Sequence, residues 1–94
     1  MLSNPLEKLR KDIDVVDRQL VALLVRRFSI TRKIGIYKAQ HCLPVFNKKR
    51  EAEIIASKKA LAKKLGINEL LVEKIFRLVI ANVKKEHNHA KIKL

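Results

Sequence analysis

Little in this sequence can break a helix, because its 94 residues hold only two glycines and two prolines. A Gly-rich phosphate cradle cannot be built from that supply. The single cysteine, Cys42, excludes an intrachain disulfide and fits a reducing compartment. Aromatic residues are as scarce, with one Tyr, three Phe and no Trp, so the stacking platform of many nucleic-acid binders has little to build on. Acids are few as well: nine Asp plus Glu stand against 22 Lys plus Arg, a formal charge of +13 that implies anionic partners. The longest apolar run, 20–25, is far too short to span a bilayer, and no signal peptide is visible at the amino terminus. No membrane partner is expected, and the expected location is the cytoplasm. HExxH, CxxC and Walker patterns are missing, and Cys42 with His41, His87 and His89 matches no common ligand spacing, so no metal is expected.

What the chain does have is a long heptad rhythm. Leu6, Leu9, Ile13, Val16, Leu20, Leu23, Arg27, Ile30, Ile34 and Tyr37 alternate spacings of three and four, as in a helix packed lengthwise on others. Asn4 can cap, Pro5 loses nothing at the first helical position, and Glu7 can reach back from the third. These signals predict one helix over 4–40, with Gly35 its only weak point. At about 1.5 Å per residue it would be roughly 54 Å long, while a compact chain of about 100 residues has a radius of gyration near ~13 Å. A single domain over 1–94 that oligomerises is the natural expectation.

Residues 41–46 interrupt the pattern, because Pro44 cannot continue a helix and biases Leu43 towards an extended conformation. Asn47 caps a second predicted helix to about residue 65, which Gly66 ends. Its shared face carries Asn47, Arg50, Ile54, Leu61 and Leu65, with Glu51 on the edge. Asn68 caps the third, whose stripe runs Val72, Phe76, Val79, Val83 and His87, widened by Ile75 and Leu78. Residues 88–94 read as a frayed basic tail.

Arg27 occupies a seam position that the rhythm reserves for an apolar residue. Lys38, eleven residues on, points within about 20° of the same direction and lies about 16 Å further along. Arg10 sits about 100° round, on the flank, so any ligand of Arg10 could lie in a different pocket. One inward arginine is most simply a snorkelling side chain or the ion-pair partner of an acid such as Asp17 or Glu51. A set is different. Burying Arg27, Lys38 and Arg50 together costs on the order of several kcal/mol per ion unless an anion fills the site, and a dicarboxylate would suit it. Glu51 is most simply the ion-pair partner of Arg50, and more sharply an acceptor for a ligand hydroxyl. On the residues alone, Asn47 is a helix cap and His87 a helix-end histidine.

The order Asn4-Pro5-Leu6, Leu9-Arg10, Ile13, Asp17, Leu20, Leu23-Leu24, Arg27, Gly35, Lys38, Pro44-Val45 and Arg50-Glu51, then Phe76 in the third helix, resembles the all-helical chorismate mutases. The likeness runs from residue 4 to about 87 without an insertion. It implies an all-α chain of three helices forming an intertwined homodimer, with each of two active sites completed by an arginine of the other chain. It implies an isomerase that converts chorismate to prephenate in aromatic amino acid biosynthesis, with no cofactor, nucleophile, base or metal. By position, Arg27 and the partner's Arg10 would clamp the two carboxylates of chorismate, with Arg50 in support. Lys38 would hydrogen-bond the ether oxygen and a carboxylate, and Glu51 with the Asn47 region would meet the substrate hydroxyl.

Three positions depart from the family pattern. Asn47 stands where an aspartate is common and keeps the cap. Val83 replaces a serine that can touch a carboxylate, which forfeits one hydrogen bond and predicts weaker substrate binding. His87 replaces a glutamine or glutamate that helps Lys38 at the ether oxygen, so it must present an N–H there, and its protonation would add charge to a cationic pocket. A register that placed Glu86 there instead would need that carboxyl protonated in order to donate. Three further readings stay open: an isochorismate-pyruvate lyase of the same fold, a basic helical dimer that binds nucleic acid, which the scarcity of aromatics disfavours, and a relative of the family whose catalysis has decayed, given Val83 and His87.

Overall fold

The structure is a computed structural model that describes residues 4–93, with side chains to residue 87. It consists of α1 (Pro5–Gln40), α2 (Lys48–Leu65) and α3 (Glu69–Lys93), and the described residues contain no strand. All three start where the sequence places an asparagine. The Leu6 N–H donates to Asn4 Oδ1 at 2.9 Å, the Arg50 N–H to Asn47 Oδ1 at 3.0 Å, and the Leu71 N–H to Asn68 Oδ1 at 3.1 Å. Such caps contribute about 1 kcal/mol each.

α1 and α2 end in the same hydrogen-bond pattern. After α1, the Leu43 N–H reaches the Lys38 carbonyl at 2.8 Å and the Cys42 N–H reaches Ala39 at 3.4 Å. After α2, Ile67 bonds back to Ala62 at 3.0 Å and Gly66 to Lys63 at 3.2 Å. This double closure requires a left-handed residue at its centre. Gly66 supplies it at φ 76°, whereas Cys42 supplies it at φ 52° with a side chain attached.

The chain divides into two compact units, Met1–Thr31 and Arg32–Leu94. In the first, the described residues belong to α1 apart from Asn4, and the heptad seam lies open, Leu20 being 56% exposed. In the second, α2 and α3 pack on each other. They run antiparallel: Glu51 near the start of α2 meets Lys84 late in α3, while Lys59 further along α2 meets Glu73 near the start of α3.

The packed faces differ from the expected ones by a rotation about the helix axis. On α2, Ile54 is half-buried as expected, but Leu61 and Leu65 are exposed, and the buried side chains are Ile55 (8% exposed) and Ala62 (2%). Moving from Ile54 to Ile55 turns a helix face by about 100°. Ala62 favours that face because a small residue lets neighbouring backbones approach. On α3 the stripe Val72, Phe76, Val79, Val83 and His87 is half-buried as expected. It widens towards Glu73, Ile80 and Lys84 rather than Ile75 and Leu78, and Leu78 is left 73% exposed. Glu73 and Lys84 can turn inward because α2 supplies each with an opposite charge. The backbone of α3 is helical through Lys93; the side chains from residue 88, with Leu94, lie outside the described residues, and with them the expected basic tail and His89. Among the described residues, no helix is long and apolar enough to cross a membrane.

Candidate active site

Lys38 lies in the last turn of α1, half-buried, and its Nζ donates to the Val45 carbonyl at 3.2 Å. The turn that Pro44 forces thus folds back onto the lysine. An ammonium has three N–H donors, and this bond uses one.

Three residues before Lys38, on the neighbouring helix surface, is Gly35. The His87 ring is packed against it so closely that a Cβ at residue 35 would stand 2.7 Å from His87 Cδ2 and 2.8 Å from Nε2. Gly35, expected only as a weak point in a helix, is therefore the seat of an imidazole. His87 is half-buried on the stripe that carries Val83, while Glu86 is exposed. Val83 is half-buried one turn before His87.

The start of α2 carries the next group. The Asn47 side-chain oxygen is occupied as a cap, which leaves its amide N–H groups as the donors. Arg50 is exposed and makes a loose pair with Glu53, at 3.7 Å one turn along. Glu51 is not its partner, contrary to the simplest reading of the sequence. Neighbours in a helix point about 100° apart. Arg50 faces solvent, while Glu51 turns towards α3 and pairs with Lys84. The Lys84 ammonium also stands 5.2 Å from the centre of the Phe46 ring.

Arg10 and Arg27 belong to the other unit, where Arg10 is exposed and Arg27 half-buried. Within residues 32–94, then, His87 lies against Gly35, one turn before Lys38, and Asn47, Arg50 and Glu51 share the first turn of α2 and its cap. Sequence reasoning missed Gly35 and Lys84. For Lys84 a signal existed: Glu73, Ile80 and Lys84 recur at helical spacing, and Glu73 and Lys84 carry charges opposite to those of Lys59 and Glu51.

A second charged cluster lies along the same helix pair. Lys59 approaches Glu73 Oε1 at 3.1 Å, and Arg77 Nε donates to Glu73 Oε2 at 2.8 Å. The Arg77 and then the Lys59 hydrogen bonds hold the Glu73 carboxyl below its ordinary value. Among the described residues no three His, Cys, Asp or Glu side chains gather as metal ligands would.

The chain's likeness to known proteins covers both units. The Haemophilus influenzae T-protein is 35% identical over 72 residues, which are 77% of this chain and 19% of that protein. The Enterobacter agglomerans T-protein is 36% identical over 75 residues, 80% of this chain and 20% of that one. The chain thus spans only about a fifth of these two relatives. The chorismate mutase of Methanocaldococcus jannaschii is 31% identical over 85 residues, 90% of this chain and 81% of that enzyme. The family model for chorismate mutase type II matches residues 9–88. With that match over most of its length, and three all-helical elements to go with it, the chain belongs to the chorismate mutase type II family.

Proposed function

We propose that the chain is a chorismate mutase, an isomerase of aromatic amino acid biosynthesis that rearranges chorismate to prephenate as a cytoplasmic homodimer. The observation that carries this reading is the seating of His87 on Gly35, one turn before Lys38, in a member of this family, which supports Lys38 and His87 acting together as nitrogen donors.

The reaction is one cyclic shift of electrons, in which the ether C–O bond breaks as a C–C bond forms. Nothing leaves and no proton is exchanged, so the protein has to supply only conformation and electrostatics. Holding the enolpyruvyl ether folded over the ring removes rotational freedom before the step. Donors aimed at the ether oxygen stabilise the negative charge it gains as its bond to carbon breaks. Lys38 and His87 take that second task. Arg27 and the partner's Arg10 clamp the two carboxylates, for which bidentate guanidinium groups are well shaped. Arg50 supports them, and its exposed pairing with Glu53 is weak enough to yield to a ligand carboxylate. Glu51, with the Asn47 amide, meets the ring hydroxyl. Val83 offers no hydrogen bond, which weakens ground-state binding.

The homodimer is supported by what one chain leaves uncovered. Leu9, Ile13, Val16, Leu20 and Leu23 on α1 are each more than half exposed, as are Leu71 and Leu78 on α3. Such a surface belongs in an interface. An intertwined pair, in which α1 of each chain lies along the other, would cover the seam and bring each Arg10 to the opposite site.

The assay is loss of chorismate absorbance with purified chain. Wild type should produce prephenate, and Lys38→Ala should lower kcat about 10²- to 10³-fold while the circular dichroism spectrum and the sedimentation coefficient stay the same. An inactive wild type, or an equally fast variant, would overturn the assignment. Release of pyruvate from isochorismate would favour the lyase, and salt-sensitive nucleic-acid binding that a dicarboxylate does not disturb would favour the nucleic-acid reading.

A further inference from the structure

We infer that Lys84 is a positioning residue for Glu51 and, through it, for recognition of the substrate's ring hydroxyl; the inference rests on the mutase reading above. Lys84 joins three segments in one unit: it projects from α3, pairs with Glu51 in the first turn of α2, and stands over Phe46 in the turn before that helix. The pair is part-buried, with 37% of the lysine side chain and 24% of the glutamate side chain exposed, so it is less screened than a surface pair.

The atom that Lys84 meets is Glu51 Oε1, which is itself buried. A carboxylate on a flexible stem samples many orientations, and fixing one oxygen from the inner side sets the direction of the other. Oε2 is then the oxygen that accepts from a ligand hydroxyl. The pairing has a second effect, because a glutamate held towards α3 does not neutralise Arg50. Arg50 keeps only its loose, exposed contact with Glu53 and remains available to a carboxylate. The aromatic ring of Phe46 contributes by holding the ammonium in place through its negative face.

Steady-state kinetics on chorismate, with five proteins, tests the assignment. Lys84→Met keeps the apolar stem over Phe46 and removes the charge. It should raise KM about tenfold, the size of one hydrogen bond to a charged group, with kcat within about twofold of wild type. Lys84→Arg should restore the wild-type KM. Glu51→Gln should raise KM by a similar factor, and adding Lys84→Met to Glu51→Gln should raise it no further, because both changes remove the same contact. An analogue of chorismate without the ring hydroxyl should show a smaller rise in KM on Lys84→Met than chorismate does, because only the effect through Arg50 remains. If Lys84→Met does not fold by circular dichroism, Lys84→Gln takes its place with the same expectations. An unchanged KM in the lysine variant, or additive effects in the double variant, overturns the role of Lys84 while wild-type turnover leaves the mutase reading standing. Absence of wild-type turnover overturns both.

Discussion

Lys38 is held at both ends. Its carbonyl accepts the Leu43 N–H that closes α1, and its ammonium donates to Val45 two residues later. Much of the roughly 2 kcal/mol of rotamer freedom of a lysine is therefore given up on folding rather than on binding substrate. Gly35 sets the place of His87, the other proposed donor. Gly35→Ala would place a methyl group against the His87 ring, and although alanine favours the helix by about 1 kcal/mol, kcat should fall about tenfold or more with helicity retained. Direct replacement checks the same donor: His87→Gln should keep most of the rate and His87→Ala should lose it, while equal rates for all three proteins would remove His87 from the site. Cys42 offers a test of backbone strain. It occupies the left-handed position that Gly66 fills in the matching turn, so Cys42→Gly should raise the urea midpoint by an amount equivalent to about 1 kcal/mol. Residue identity alone revealed the asparagine caps and the glycine stop, because those depend on neighbours in sequence. It did not reveal the left-handed Cys42, where no glycine marks the turn, nor the Gly35 seat, which exists only once the His87 side chain reaches back from α3.

The first two elements and the start of the third were legible to within a residue or two, since helix periodicity over dozens of positions is hard to mistake, whereas α3 runs as helix to Lys93, past the stripe that ends at His87. The rotation of the helices was not legible. Ile54 and Ile55 are both apolar, and both Ile75 and Ile80 could widen the α3 stripe, so the choice fell to which polar residues could be satisfied inside. Glu73 and Lys84 could be, and α2 and α3 therefore meet through two ion pairs of reversed polarity as well as through apolar contacts. The same dependence on a partner helix hid the Glu51 pairing from a one-dimensional reading. The Lys59–Glu73–Arg77 cluster gives a pH signature at this scale. Because the folded state lowers the Glu73 pKa, the contribution of this carboxylate to stability is fully present above its ordinary value of 4.5 and is lost as pH falls through the depressed value. Glu73→Gln should accordingly be less stable than wild type at neutral pH, and the difference in thermal midpoint should close as the buffer is taken below pH 4.5. A gap that is constant from neutral to acid would mean that the charge of Glu73 contributes nothing.

For the molecule as a whole, the described residues contain only two buried side chains, Ile55 and Ala62, which is too little apolar burial to hold a fold of this size. The heptad seam was readable from spacing as something that must be covered, but the identity of the cover was not, because periodicity gives a face and no partner. With a second copy as that cover, the thermal midpoint should rise with protein concentration, and Leu20→Glu should abolish the dimer in sedimentation and most of the activity with it. A midpoint independent of concentration, with a monomeric mass, would refute the pairing. The open seam of α1 has a consequence for dosage. Well below the dissociation constant, the amount of complete catalyst grows with the square of the chain concentration, so halving the number of chains would leave about a quarter of the dimer. Flux from chorismate would then respond to expression level far more steeply than it would for an enzyme that is complete in one chain.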